Sequence, residues 1–406
     1  MKSEDTEVGI GYHLLTHTFR PLEFFCYFLF AIGPLVGNAV LVLSGAIATD
    51  FSINPTQALI AVPAFMFPFA FAQLFSGAVS DIYGRVRVAV LGSLVFALGL
   101  IIIVYSSSLQ EFIWGNVVAG SGFAFVNPVV LALLSDLSTF EGIPRRMGIA
   151  SALASLSAGL GPFLAGQLVV FGWEFYYLVF FAIVVIILIS ISVIPRPNRE
   201  VHRGSELRTF LVNLASEFRK PVVLLMLGAT FLVALTYLGA LVWTSRALIG
   251  NLSESLLGFI LLGAGIAGAT AGSLLGSMIR RWGPGRPILL GLVSNFIGLG
   301  LFMLIGDVTL ASAVPFDTVA LVAVGWAGGL LFPMTITYGQ IISPKRHGVL
   351  AGAVTSSFFF GSALVLQLFD PLFEIGVGTV YAGLLVASIV LAFLFYGLYR
   401  SLQSEL

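Results

Sequence analysis

Twelve apolar runs of transmembrane length follow one another along these 406 residues, and that repetition restricts the fold more than any other feature. A bilayer core of ~30 Å is crossed by about 20 helical residues. The runs lie near 22–49, 55–78, 87–106, 111–136, 147–169 and 174–194, then 221–248, 254–278, 287–306, 318–342, 349–371 and 376–399. Barrel strands would be ~10 residues of alternating polarity, whereas these runs are continuous. In hydrocarbon every backbone N–H and C=O must be paired within the chain, which leaves helices. Composition agrees: 9% of residues are charged, against ~25% in a soluble domain. The expected fold is an all-α integral membrane protein with twelve transmembrane helices.

Orientation follows from the cations. With the N-terminus inside, 18 of the 19 Lys and Arg fall on the inner breaks, and Arg246 alone lies outside. A wrong count would scramble this sorting, so it tests number and direction together. The outer breaks carry Asp50, Glu111, Glu174, Glu254, Asp307, Asp317 and Glu374. The expectation is a multi-pass protein of the cell membrane, surrounded by lipid, monomeric, with both termini cytoplasmic.

Several functions are disfavoured. The formal net charge is zero and no basic patch tracks phosphates, so nucleic acid is no partner. Cys26 is the single cysteine, which excludes an internal disulfide. His13 and His17 share a helical face, but no acidic or thiol ligand accompanies them, so no metal is expected. Gly263-x-Gly265-x2-Gly268 spells a dinucleotide fingerprint in the middle of a span with no strand before it; it reads as packing. No cofactor is expected, and no nucleophile–base pair marks an enzyme.

The chain also repeats itself. The polar stretch 195–220 divides it into expected bundles 1–194 and 221–406, with 195–220 as a cytoplasmic linker. Across that divide Gly77-x3-Asp81-x2-Gly84 matches Gly276-x3-Arg280-x2-Gly283, and Gly92 and Gly99 match Gly291 and Gly298. Gly120 and Pro128 match Gly325 and Pro333, and Pro144-Arg145-Arg146-x-Gly148 matches Pro344-Lys345-Arg346-x-Gly348. Ser157 and Gly161 match Ser357 and Gly361. Parallel repeats of six helices imply two bundles about a central cavity, reached from either side as they rock.

At this point the residues carry a resemblance. Gly77-Ala78-Val79-Ser80-Asp81-Ile82-Tyr83-Gly84-Arg85-Val86-Arg87 resembles the loop 2–3 signature of the major facilitator superfamily, and Phe69 to Arg87 is similar to its twelve-helix drug:proton antiporters. The family usually has basic residues at the positions of Ile82 and Val86. Gly148-x8-Ser157-x3-Gly161-Pro162-x2-Ala165-Gly166 resembles the fifth-helix antiporter motif. Asn116-x3-Gly120-x-Gly122 occupies the fourth-helix pattern, with Asn116 where the family has a buried arginine.

The resemblance implies two pseudo-symmetric six-helix bundles and gating roles for Gly77, Asp81, Gly84, Arg85, Arg87, Gly161 and Pro162. Physical chemistry fits: Gly77 permits close helix approach, Gly84 a tight turn, and Asp81 a carboxylate beside two cations. The plain alternatives are a solvated turn whose cations set topology and ordinary helix packing. Near the midpoints of the first, fourth, seventh and tenth helices, which line the cavity in this fold, stand Asn38, Phe123, Asn127, Tyr237 and Phe332, with Gln73 and Phe359 as neighbours. Amides and aromatics suit a neutral or lipophilic small molecule; each also has a packing role as its alternative.

Three functions follow. The first is export of lipophilic or drug-like molecules by alternating access, with proton coupling implied by the resemblance. The second is a facilitator or importer of a small polar solute, favoured because no carboxylate sits near the centre of any span. The third is a transporter-like receptor without flux.

Overall fold

The computed structural model describes residues 20–137, 143–193, 212, 214–305, 314–342 and 347–403. Most of the 195–220 linker, His13, His17, His202, Asp307, Lys345 and Arg346 lie outside the described residues.

The first half holds α1 (Arg20–Gly37), α2 (Val40–Phe51), α3 (Pro55–Ala58), α4 (Ala61–Tyr83), α5 (Arg85–Val104), α6 (Leu109–Phe123), α7 (Asn127–Asp136), α8 (Ile143–Leu168) and α9 (Trp173–Val193). The second holds α10 (Pro221–Leu248), α11 (Glu254–Trp282), α12 (Gly285–Ile305), α13 (Val314–Ile342), α14 (His347–Ala363), α15 (Val365–Phe373) and α16 (Val377–Gln403). Eleven described helical stretches are long and apolar enough to cross a bilayer, and the bent pair α1–α2 makes twelve.

Four of the expected continuous spans are interrupted, the second at Leu59–Ile60 and the eleventh at Leu364. The first bends by 50° at Asn38–Ala39, one turn beyond Pro34, whose ring removes a backbone donor and crowds the preceding turn. The fourth is broken at Ala124–Val126, just before Pro128 at the start of α7.

Alternating helices give the molecule two ends. The turns at Gly84 and Gly283 mark a basic end; the turns before α3, α6, α9 and α11 mark an acidic one. Glu111, Glu174, Glu254 and Asp317 stand in the first turns of helices that start at the acidic end, while Arg280, Arg281 and Arg400 close helices at the basic end. That arrangement complements the helix dipoles. Ser108 and Ser253 cap α6 and α11 through Glu111 N and Leu256 N. Asn54 and Gln57 form a reciprocal capping box at α3, leaving fewer orphan donors at the membrane edge. Arg246, the one cation placed at the acidic end by sequence, pairs with Asp370 and lies 4.1 Å from the Phe373 ring centroid and 4.9 Å from that of Trp243. Its charge is thereby neutralised locally and its guanidinium packed between aromatic faces.

The two halves share their internal geometry. A side chain at Gly120 would collide with the Phe65 carbonyl, and one at Gly325 with the Ala264 carbonyl. Gly161 packs on the Leu35 carbonyl as Gly361 packs on that of Phe231. Gly84 and Gly283, at twin turns, have φ of 92° and 77°, a region that favours glycine. Close backbone approach at corresponding glycines is how each bundle packs where lipid supplies no hydrophobic drive.

Candidate functional site

The halves meet along two seams, α8 against α11 and α4 against α14. In the first, small residues bring backbones together. A Cβ at Gly159 would stand 2.9 Å from Gly265 Cα, and one at Gly258 2.9 Å from the Pro162 carbonyl oxygen. Nearer the acidic end, Gly166 packs on the Glu254 backbone and the Gln167 amide donates to Ser255 Oγ at 2.8 Å. Ser245 of α10 donates to the Leu41 carbonyl of α2, closing the same end.

Toward the basic end these contacts stop. A side chain at Gly77 of α4 or Gly352 of α14 would meet nothing within 4 Å, and at Gly276 of α11 only the chain's own Arg280. Gly77 and Gly276 are exposed. The halves touch closely at the acidic end, and at these three glycines of the basic end they do not.

The residues expected to gate sit as follows. Arg85 reaches Asp136 at 2.7 Å and donates to the Ala132 carbonyl at 2.5 Å, whereas Asp81 lies 3.5 Å away. Thus Arg85 ties α5 to α7 inside the first half, and Asp81, 49% exposed at its side chain, is held weakly. Arg87 is exposed. Gly161 packs within the first half, on α1, while its neighbour Pro162 touches the other half at Gly258. Nearby, Arg146 grips Glu23 through two bonds of 2.8 Å, pinning α8 to α1; the sequence reading gave this pair no role.

Of the residues expected to line the cavity, Phe123, Phe332 and Phe359 fall into one aromatic series. Phe332 packs on Phe358 at 4.3 Å between ring centroids, Phe358 on Phe359 at 5.4 Å, Phe359 on Phe69 at 4.3 Å and Phe69 on Phe123 at 5.4 Å. This aromatic series crosses from one half to the other at Phe69–Phe359, beside a 2.5 Å bond from Ser356 Oγ to the Ala70 carbonyl. Sequence reasoning missed Phe69 and Phe358, which stand next to residues it named. Phe123 rests on Gly33, and Tyr237 on Gly328, where a Cβ would come within 2.9 Å of its ring. Asn38 lies in the break of the first span and Asn127 opens α7 just after the break of the fourth, and both are buried. Asn38 Oδ1 and both amide atoms of Gln73 have no hydrogen-bond partner. Asn116, where the family has arginine, donates to the Phe112 carbonyl of its own helix at 2.8 Å. Among the described residues no group of His, Cys, Asp and Glu could hold a metal ion.

The family model described as the Major Facilitator Superfamily matches residues 24–366. The chain belongs to this superfamily. Like the superfamily's transporters it is a multi-pass membrane transporter and not an enzyme. The chloramphenicol resistance protein CraA of Acinetobacter baumannii is 23% identical over 353 residues, 84% of each chain. A bicyclomycin resistance protein homolog of Haemophilus influenzae is 26% identical over 231 residues, covering 56% of this chain and 51% of its own. The crystal structure of the nucleoside transporter NupG (D323A mutant) superposes with a TM-score of 0.71 at 14% identity, over 93% of this chain and 98% of that one. That likeness establishes the superfamily fold; substrate is a separate matter.

Proposed function

We propose that this transporter exports small lipophilic or drug-like molecules from the cytoplasm across the cell membrane by alternating access, as a monomer in lipid with both termini cytoplasmic. The observation that carries the reading is the uncharged aromatic series, which crosses the seam between the halves where they begin to part. The positive-inside rule supports taking the basic end as the cytoplasmic one, so that the side on which Gly77 and Gly276 are exposed faces the cytoplasm in this reading. Gly77, Asp81, Gly84, Arg85 and Arg87 form the gate that closes there in the opposite state, and Gly161 and Pro162 belong to the outer seal. Asn38, Gln73, Phe123, Asn127, Tyr237, Phe332 and Phe359 meet the substrate. The resistance proteins among its relatives support export.

Proton coupling completes the proposal. The test uses proteoliposomes loaded with a lipophilic dye under an imposed pH gradient. Gradient-driven dye movement that an ionophore abolishes supports it, and ionophore-insensitive movement refutes the coupling.

One observation favours a second reading, a facilitator of a small neutral solute. Among the described residues every carboxylate lies near a helix end, and proton-driven transporters commonly place one within the membrane. Counterflow of solute without any ion gradient supports that reading over the first.

A further inference from the structure

We propose that the α4–α14 seam holds a binding post for an uncharged aromatic ligand carrying a hydrogen-bond donor and an acceptor side by side, as an amide, lactam or imide does. Gln73 supplies the hydrogen bonds, and Phe69 and Phe359 supply the aromatic walls. This rests on the transport reading above and assigns it a substrate class and a place.

The first argument comes from the repeat. Placing Gly77 on Gly276 puts Phe65, Phe69 and Gln73 of α4 on Ala264, Gly268 and Gly272 of α11. Placing Gly161 on Gly361 puts Phe359 on Gly159. The α8–α11 seam therefore packs with small residues, Gly159 and Gly268, at the positions where the α4–α14 seam carries Phe359 and Phe69, while Gly272, the twin of Gln73, faces the Gly329 carbonyl of α13. Joining the halves does not require these side chains. They meet across the second seam, with Phe69 and Phe359 at 4.3 Å and Phe67 and Phe360 at 6.3 Å between ring centroids.

The second argument is hydrogen-bond accounting. Gln73 is 1% exposed, and neither Oε1 nor Nε2 has a partner. Buried polar groups are nearly always bonded, so one that lacks every partner needs an explanation. Other polar side chains on the same helix are satisfied locally: Ser76 donates to the Gln73 carbonyl at 3.0 Å and Ser80 to the Gly77 carbonyl at 2.8 Å. A primary amide offers one acceptor oxygen and one donor nitrogen in a plane, and its complement is a second amide-like edge.

The third argument is charge and access. The next charged residue along α4 is Asp81, two turns away, so nothing on this helix neutralises a charged ligand at Gln73. Gln73 lies one turn from Gly77, so its buried amide is the first unpaired side-chain group on α4 inward from the basic end.

The test measures binding to the purified full-length protein in lipid nanodiscs with two probes. Chloramphenicol is neutral and aromatic and carries a secondary amide. Tetraphenylphosphonium is aromatic and cationic and has neither donor nor acceptor. Gln73→Leu should weaken chloramphenicol about 10- to 100-fold and leave tetraphenylphosphonium within about twofold. The ligand-free variant should melt at or above the wild-type temperature, because an orphaned buried amide has been removed. Gln73→Asn, which keeps the amide on a shorter stem, should fall between. Unchanged chloramphenicol affinity in Gln73→Leu overturns the post. So does loss of both probes with a lowered melting temperature, the signature of a packing role, and so does failure of the wild type to bind chloramphenicol. The dye-flux experiment is run on the wild-type protein with Gln73 in place, so its outcome judges the transport reading separately from the effect of Gln73→Leu on chloramphenicol.

Discussion

Substituting Gly265 by leucine should force the closed end of the molecule open. In the α8–α11 seam a Cβ at this position stands 2.8 Å from both Cα and N of Gly159 and 3.1 Å from the Ser155 carbonyl oxygen. Ordinary van der Waals contact begins at about 3.4 Å, so the Cβ alone requires the helices to separate by roughly half an ångström, and the rest of the side chain by more. Backbone cannot rotate aside as a flexible side chain would. Overpacking of this kind costs about 1–3 kcal/mol, and the cost applies only while the seam is closed. Relief of it shifts the balance between conformations by about 5- to 150-fold toward the state open at the acidic end. A single cysteine reports the shift. In protein carrying Cys26→Ala, Ser255→Cys places a thiol beside Gln167 within the seal. Its labelling by a maleimide in detergent should accelerate by that order when Gly265→Leu is added. An unchanged rate in a folded variant would refute the claim that this seam is the closed gate.

Other substitutions separate gate from scaffold. Gly77→Leu meets no neighbour in this conformation, so its melting temperature should equal the wild type's while transport falls at least about tenfold, because the basic end can no longer close. Gly120→Leu drives a side chain into the Phe65 backbone inside one bundle; it should abolish folded yield in size-exclusion chromatography. Arg246→Ala removes a guanidinium that is 13% exposed at its side chain and packed between Trp243 and Phe373. It should destabilise by about 1–2 kcal/mol, and Asp370→Asn by less, since that carboxylate is 54% exposed; thermal unfolding in detergent compares the two.

Architecture was legible in the sequence because a membrane constrains it so heavily. Span length, internal hydrogen bonding and cation placement each act on every helix, so errors in one show in another. The glycine matches across the repeat were equally legible, because close backbone approach admits no larger residue: Gly120 and Gly325 mark the same collision in each half. The interrupted helices were harder to read. Pro34 and Pro128 lie near breaks, yet Pro333, the twin of Pro128, sits inside unbroken α13; whether a proline breaks a helix depends on neighbours that a single chain pattern does not reveal. The aromatic series was half legible. Phe123, Phe332 and Phe359 stood out by their depth in the spans, but Phe69 and Phe358 join the set through contacts between distant helices. Arg246 looked like an exception to the charge sorting until the fold brought Asp370, which lies 124 residues further on, beside it.

The central claim, that two bundles rock so that one end closes as the other opens, is tested most directly by distances measured at both ends in one preparation. Spin labels at the exposed Tyr83 and Ala351 span the parted basic end, and labels at the exposed Val170 and Leu256 span the joined acidic end. Adding a transported compound should shorten the first distance and lengthen the second in the same population of molecules. Two distances that stay fixed while the compound is transported, or that change in the same direction, would contradict it.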